Sequence, residues 1–244
     1  MNKKFFVFGP DSSVIATQLL GPFLYKKNGK KRVKYIRFNE DSIPCTYAHS
    51  NMIEEEWIAV NRTVDQSIAV TKYENIIFTT SCTRTTVQQI LQNQDFDFVP
   101  IFYFIVVAPS NKESVLSAFK TYKSICEMHK DAKNPEDVNP KVMFILNTVG
   151  NQNINIEFAY FFGNEAMELD FVFKNNIPNE DLRFIIFRTP TCLNISQAKQ
   201  ILHLELENDV KVGNPKIQTI FDSAIFEQKL VYKLFTPLQA FIKM

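Results

Sequence analysis

The 244-residue chain is poor in the residues that build common metal and cofactor sites, with four cysteines, three histidines and six glycines. Cys45, Cys82, Cys126 and Cys192 stand far apart without a CxxC pair, and His49, His129 and His203 show no HxxxH spacing. Neither a zinc site nor a disulfide framework is therefore written here, and reduced thiols in a cytoplasmic protein are expected. An excess of one charge is also missing. A formal net charge of +1 and a pI near 7.6 exclude a polycation that grips nucleic acid over its whole surface, so any such contact is local. Long apolar runs are absent as well. The richest, Val99 to Val107, is the size of a strand and falls short of the roughly 18 residues of a membrane span. The basic start MNKKFFVFG is broken by Pro10 and Asp11 before it reaches the length of a signal-peptide apolar region.

What is present is apolar and aromatic. The chain is 45% hydrophobic with 23 phenylalanines, enough to bury one core, and a single domain over residues 1–244 is expected. Short β-rich runs alternate with segments of helical period, the pattern of a three-layer α/β fold with a mostly parallel sheet and helices on both faces. KFFVF (4–8), VKYIRF (33–38), NIIFT (75–79), IFYFIVV (101–107) and KVMFILN (141–147) read as strands, and LDFVF (169–173) and FIIFR (184–188) as two more. The runs 101–107 and 141–147 are almost continuously apolar and are expected at the sheet centre. Helices are expected over 14–25, 83–93, 112–130, 154–162, 195–208, 217–235 and 238–243, with another around IEEEWIAV in the irregular segment 42–72. Ser110-Asn111 supplies a readable start for the helix at 112.

The segment GPDSSVIAT (9–17) follows the first strand, where an α/β protein carries a phosphate-binding loop. Such a loop needs glycines so that backbone N–H groups curl around phosphate, a lysine for the outer phosphates and a hydroxyl for magnesium. On the GxxxxGK[ST] frame Gly9 keeps the first position, while Val14, Ile15 and Ala16 occupy the glycine, lysine and hydroxyl positions. Thr17 stands one residue late. The plain alternative is a helix-capping turn in which Asp11, Ser12 or Ser13 caps the helix.

Loop placement and strand order resemble the ParA/MinD-like family of deviant-Walker ATPases, a branch of the P-loop NTPases, over roughly residues 3 to 150. That family's loop reads KGGVGKST; here Pro10 replaces its signature lysine. NGKKRVKYIRFNEDS is similar to the family's turn into the second strand, and KYENIIFTTSCTRTTVQQIL to its third strand and switch, whose aspartate becomes Thr79 or Thr80. KVMFILNTV resembles the strand whose terminal asparagine lies beside the adenine, which makes Asn147 the base-contact position. The resemblance implies a vestigial nucleotide cleft formed by Gly9, Ser12, Ser13, Thr17 and Asn147. With the lysine, hydroxyl and aspartate gone, hydrolysis is not expected, and neither ATP nor magnesium is expected as a cofactor. The implied function is that of a pseudo-ATPase acting through a protein partner, a homodimer or DNA in bacterial plasmid partition, conjugation or cellular positioning.

Two other readings compete. One is a nucleotide sensor that binds without turnover; the other is an enzyme of a different α/β family with Ser12, Thr80, Cys82 and Asn147 at the strand ends. No GxSxG elbow supports a serine hydrolase. The basic run KKNGKKRVK offers Lys26, Lys27, Lys30, Lys31, Arg32 and Lys34 to nucleic acid or an acidic partner, against the simpler reading of a charged helix-to-strand turn. Glu54, Glu55 and Glu56 beside Trp57 read as a solvated helix face with one anchoring aromatic, against a surface that receives a basic partner or closes over a cleft. The C-terminal stretch has one strongly apolar helical face, suited to core packing, with Pro237 to Met244 as a candidate partner contact.

Overall fold

The computed structural model describes residues 3–39, 53–59, 75–80, 101–130, 140–148, 154–188 and 229–243. The segments expected as helices at 83–93 and 195–208 lie outside them, as do most of 217–235 and Cys82. Among the described residues, seven strands form one sheet in which every pairing is parallel. They are β1 (Lys3–Phe8), β2 (Val33–Asn39), β3 (Ile53–Ala59), β4 (Asn75–Thr80), β5 (Ile101–Val107), β6 (Lys141–Thr148) and β7 (Phe184–Arg188), in the order β3-β2-β4-β1-β5-β6-β7. Helices cover both faces, so the architecture is the expected three-layer α/β fold.

Alternation along each strand explains the layers. Phe5 and Val7 of β1, Phe102, Phe104 and Val106 of β5, and Met143 and Ile145 of β6 enter a first-face core. That core is closed by a helical rod, α1, running through Ser12–Ile15, Ala16–Leu20 and Gly21–Lys27, and by the C-terminal residues Val231, Leu238, Phe241 and Ile242. Phe6, Phe8, Tyr103, Ile105, Phe144 and Leu146 enter the second-face core, against α2 (Lys112–Lys130) and the short helix α4 (Ala159–Phe162), which follows another short helix, α3 (Ile154–Glu157). Phe161 stacks on Phe173 at 4.6 Å, and Phe144 meets Phe173 edge-on at 4.8 Å. Such pairs contribute about 0.5–1.5 kcal/mol each beyond area burial. Phe235–Lys243 forms the last helix, α5.

α1 carries π geometry over Ala16–Leu20. Pro22 lacks the N–H that an α-helix would return to the Gln18 carbonyl, and its ring crowds that carbonyl; widening the preceding turn relieves both problems. The α2 boundaries agree with the sequence reading, and its cap is formed as expected: Ser114 N–H donates to Asn111 Oδ1 at 3.1 Å.

Four expectations need correction. IEEEWIA is not helical: it forms the edge strand β3, paired to β2 with Lys34 opposite Glu54. Ile, Trp and Ile suit a strand. LDFVF is not a strand: it runs extended into a 3₁₀ turn, Phe173–Asn176, because Phe173 plugs the second-face core as a cover and not as a sheet member. The helix expected over 154–162 is interrupted between Glu157 and Ala159. The sheet centre is β1, with β5 beside it and β6 one place in from the β7 edge; β6 is apolar because helices cover both its faces.

The topology fixes where a crevice forms. From β1 the chain goes to the first face through α1 and reaches β2 on one side; from β5 it goes to the second face through α2 and reaches β6 on the other. Adjacent strands whose connections diverge in this way leave an opening at their carboxyl ends. No described helix is long and apolar enough to cross a membrane.

Candidate functional site at the carboxyl ends of β1, β5 and β6

The β1–α1 loop lies over this opening. Gly9 has φ +99°, and a Cβ built there would sit 2.3 Å from the Val106 carbonyl oxygen, so the backbone can pass over the end of β5 only as glycine. Asp11 follows in left-handed geometry at φ 56°. It occupies the N-cap position of α1, yet its side chain makes no capping hydrogen bond. Instead Asn147 Nδ2 donates to Asp11 Oδ2 at 2.9 Å, spanning β5 from the end of β6. Asn147 is buried, and Asp11 is exposed at the loop surface.

The fold brings Gly9, Ser12, Ser13, Thr17 and Asn147 to the same end of the sheet, as the sequence reading grouped them. Two of these side chains, Thr17 and Asn147, are hydrogen-bonded within the protein. Thr17 is fully buried, and its hydroxyl donates to the Ser13 carbonyl at 2.8 Å, one turn back in its own helix. The Asn147 amide is directed at a carboxylate. Val14 and Ile15 pack on or into the first-face core, and Ala16 is buried within it. At the end of β4, Thr79 Oγ1 lies 3.0 Å from the Tyr35 hydroxyl, a buried pair that satisfies both groups. The only charged side chain in the segment 9–17 is Asp11. A triphosphate needs positive potential here, and this loop presents the opposite sign.

Sequence reasoning missed an open pocket of about 310 Å³ between this loop and α2, lined by Gly9, Pro10, Asn111, Glu113, Ser117 and Thr121 among others. A signal was present: Ser114, Ser117, Ala118 and Thr121 recur at i, i+3, i+4 and i+7, a run of small residues on one helix face. The Ser114 hydroxyl is already committed, accepting from Ala108 N–H at 2.9 Å. Among the described residues the lining contains hydroxyls, an amide and a carboxylate but no lysine or arginine.

Three other titratable side chains, Tyr103, Tyr122 and Cys126, lie in or against the second-face core. Tyr122 donates to Asp181 Oδ2 at 2.7 Å, and burial, then the hydrogen bonds to Asp181 and Cys126, push its phenol well above the ordinary range. Burial also raises the Cys126 thiol, which makes it a poor nucleophile. Tyr103 and His129 form a buried pair at 2.8 Å in the second-face core. Among the described residues, no three His, Cys, Asp or Glu side chains are grouped to hold a metal ion.

The basic run lies at the other end of the sheet, where α1 finishes and β2 begins. Lys26, Lys27, Lys30, Lys31 and Arg32 are exposed there, around a turn with Gly29 at φ 63° and Lys30 at φ 67°. Lys34 does not join them: it is buried within β2. Comparison of the chain with protein-family models, with curated proteins and with solved structures finds no match.

Proposed function

We propose that this chain is a catalytically inactive relative of the ParA/MinD-like ATPases that works by binding a protein partner or a second copy of itself. Its role would lie in plasmid or conjugative-element maintenance or in cellular positioning, with the nucleotide switch lost. The observation that carries the inactive reading is the Asn147–Asp11 hydrogen bond across the crevice, together with a Thr17 hydroxyl spent inside its own helix. Phosphoryl transfer is catalysed by positive charge and positioned donors around the transferring group, and a loop whose one charged side chain is a carboxylate does not supply that charge. The test is phosphate release from MgATP and MgGTP by the purified protein. Release at the buffer rate supports the reading, and sustained turnover that co-purifies with the chain overturns it.

A second reading, a ligand sensor without turnover, is favoured by the 310 Å³ pocket beside the loop. A Ser117→Leu substitution, which fills the pocket, would abolish stabilisation by a ligand bound there and leave the fold intact.

A further inference from the structure

The amino-end rim of the sheet carries a charge arrangement that the loop crevice does not explain. Residues 3–37 hold nine lysines and arginines, of which Lys4 and Lys34 are buried and Arg37 lies toward the carboxyl end of β2, and residues 229–243 hold three; the one acid in these segments is Asp11, at the opposite end of the sheet. The second-face segments 112–130 and 154–188 together hold seven lysines and arginines against eight acids. Among the described residues the segments 3–37 and 229–243 are net basic, while Glu54, Glu55 and Glu56 stand on β3 outside them.

Four lysines from separate elements converge at this rim: Lys3 opens β1, Lys27 ends α1, Lys141 opens β6 and Lys243 ends α5. Lys3 and Lys141 each hold Nζ 5.3 Å from the centre of the Phe102 ring. Lys3 also donates to the Ile242 carbonyl at 2.9 Å. Burial, then repulsion from Lys27 and Lys141, lowers the Lys3 pKa; burial, then Lys243, lowers that of Lys27. Among the described residues no carboxylate pairs with any of the four. Gathering like charges without a counter-charge opposes folding, and an anionic partner would relieve it.

Apolar surface lies exposed among these charges. Leu230 is 37% and Tyr232 41% exposed, between and beside Lys229 and Lys233. Lys26 Nζ stands 4.7 Å over the Tyr232 ring. Of the twelve basic residues, Arg32 and Arg37 are the arginines and the other ten are lysines. The exposed Leu230 and Tyr232 offer an acidic protein segment apolar anchors beside the lysines, which a phosphate backbone would leave unused.

We propose that this rim, built on Lys3, Lys27, Lys141 and Lys243 and bordered by Tyr232 and Leu230, docks an acidic protein segment in which Asp or Glu alternates with large apolar residues. This names the partner chemistry for the binding role above and rests on that role only for its class. The nucleotide loop lies at the other end of the sheet, so the phosphate-release test and the one below fail independently.

The test is fluorescence anisotropy of the full chain with three labelled probes: a peptide alternating Asp or Glu with Leu or Phe, a peptide of equal charge with Ser at the apolar positions, and a short DNA duplex. The apolar acidic peptide is expected to bind tightest. Its affinity should fall about tenfold or more when Lys3, Lys27, Lys141 and Lys243 are all changed to Gln, and also in Leu230→Ser/Tyr232→Ser. The thermal midpoint of the lysine variant should match or exceed the parent's; if that variant fails to fold, the exposed pair Lys27→Gln/Lys243→Gln replaces it. Duplex binding as tight as the peptide's, peptide binding unchanged by the lysine substitutions, or no peptide binding would each overturn the proposal.

Discussion

Asp11 and Asn147, 136 residues apart in sequence, meet in a 2.9 Å hydrogen bond that crosses the end of β5. This one contact sets the character of the loop, because it ties the first turn after β1 to the end of β6 and places a carboxylate over the crevice. It also accounts for Gly9: the chain reaches Asn147 by passing directly above the Val106 carbonyl.

A double-mutant cycle on this pair measures the tie. Asn147→Ala is expected to lower stability by about 1–3 kcal/mol, since it removes the buried donor of a charge-assisted bond. With Asp11→Ala the coupling energy should be about 1–2 kcal/mol by denaturant unfolding. Strict additivity would mean that the two side chains do not hold the loop.

Gly9→Ala is expected to be among the most damaging small substitutions in the loop. Positive φ alone disfavours a Cβ by about 1–2 kcal/mol, and contact with backbone at 2.3 Å leaves no flexible neighbour to yield. A total loss of about 2–4 kcal/mol, with a matching fall in the thermal midpoint, is expected.

Thr17→Val separates a helix role from a metal role. Where the hydroxyl serves only to return a bond to the Ser13 carbonyl, the isosteric change is expected to alter stability by less than about 1 kcal/mol. It should also leave the melting curve indifferent to added magnesium.

Lys4 gives a pH signature. It is buried in β1 at 3% exposure, and burial pushes its pKa down to about 8 from an ordinary 10.5. Between those values the unfolded chain holds a proton that the folded chain has released, so stability should rise with pH from about 8 to about 10.5. Lys3 and Lys27, also lowered, add to the same rise. Unfolding measured across that window should show the slope in the parent and a shallower one in Lys4→Met.

The strands with unbroken apolar sequence were legible because burial on both faces leaves no alternation to misread: 101–107 and 141–148 are such cases, as is β1. IEEEWIA was not, because three successive glutamates resemble a solvated helix face, and only pairing with β2 makes them an edge strand. LDFVF has strand composition, but its aromatic residues serve a cover layer, a tertiary fact that local pattern does not contain. Of the candidate site, the grouping at the carboxyl end of β1 was readable from strand order, and the apolar replacements at Val14, Ile15 and Ala16 from the motif frame. The use of Asp11 was not: its position suggested a cap, and the partner it takes instead lies on a strand two places across the sheet. The basic run was visible at Lys26 to Arg32, while Lys3, Lys141 and Lys243 join it only through folding, and Lys34 leaves it because β2 turns that side chain inward.

The most direct test of the central claim, that this loop has lost its response to nucleotide, is thermal unfolding with and without saturating MgATP. A nucleotide held at about 100 times its Kd would add about 2.7 kcal/mol, which in a chain of this size raises Tm by roughly 5–10 °C. An unchanged Tm with ATP, GTP and magnesium is the expected result. A rise of that size that requires magnesium and disappears in Gly9→Ala would contradict the account.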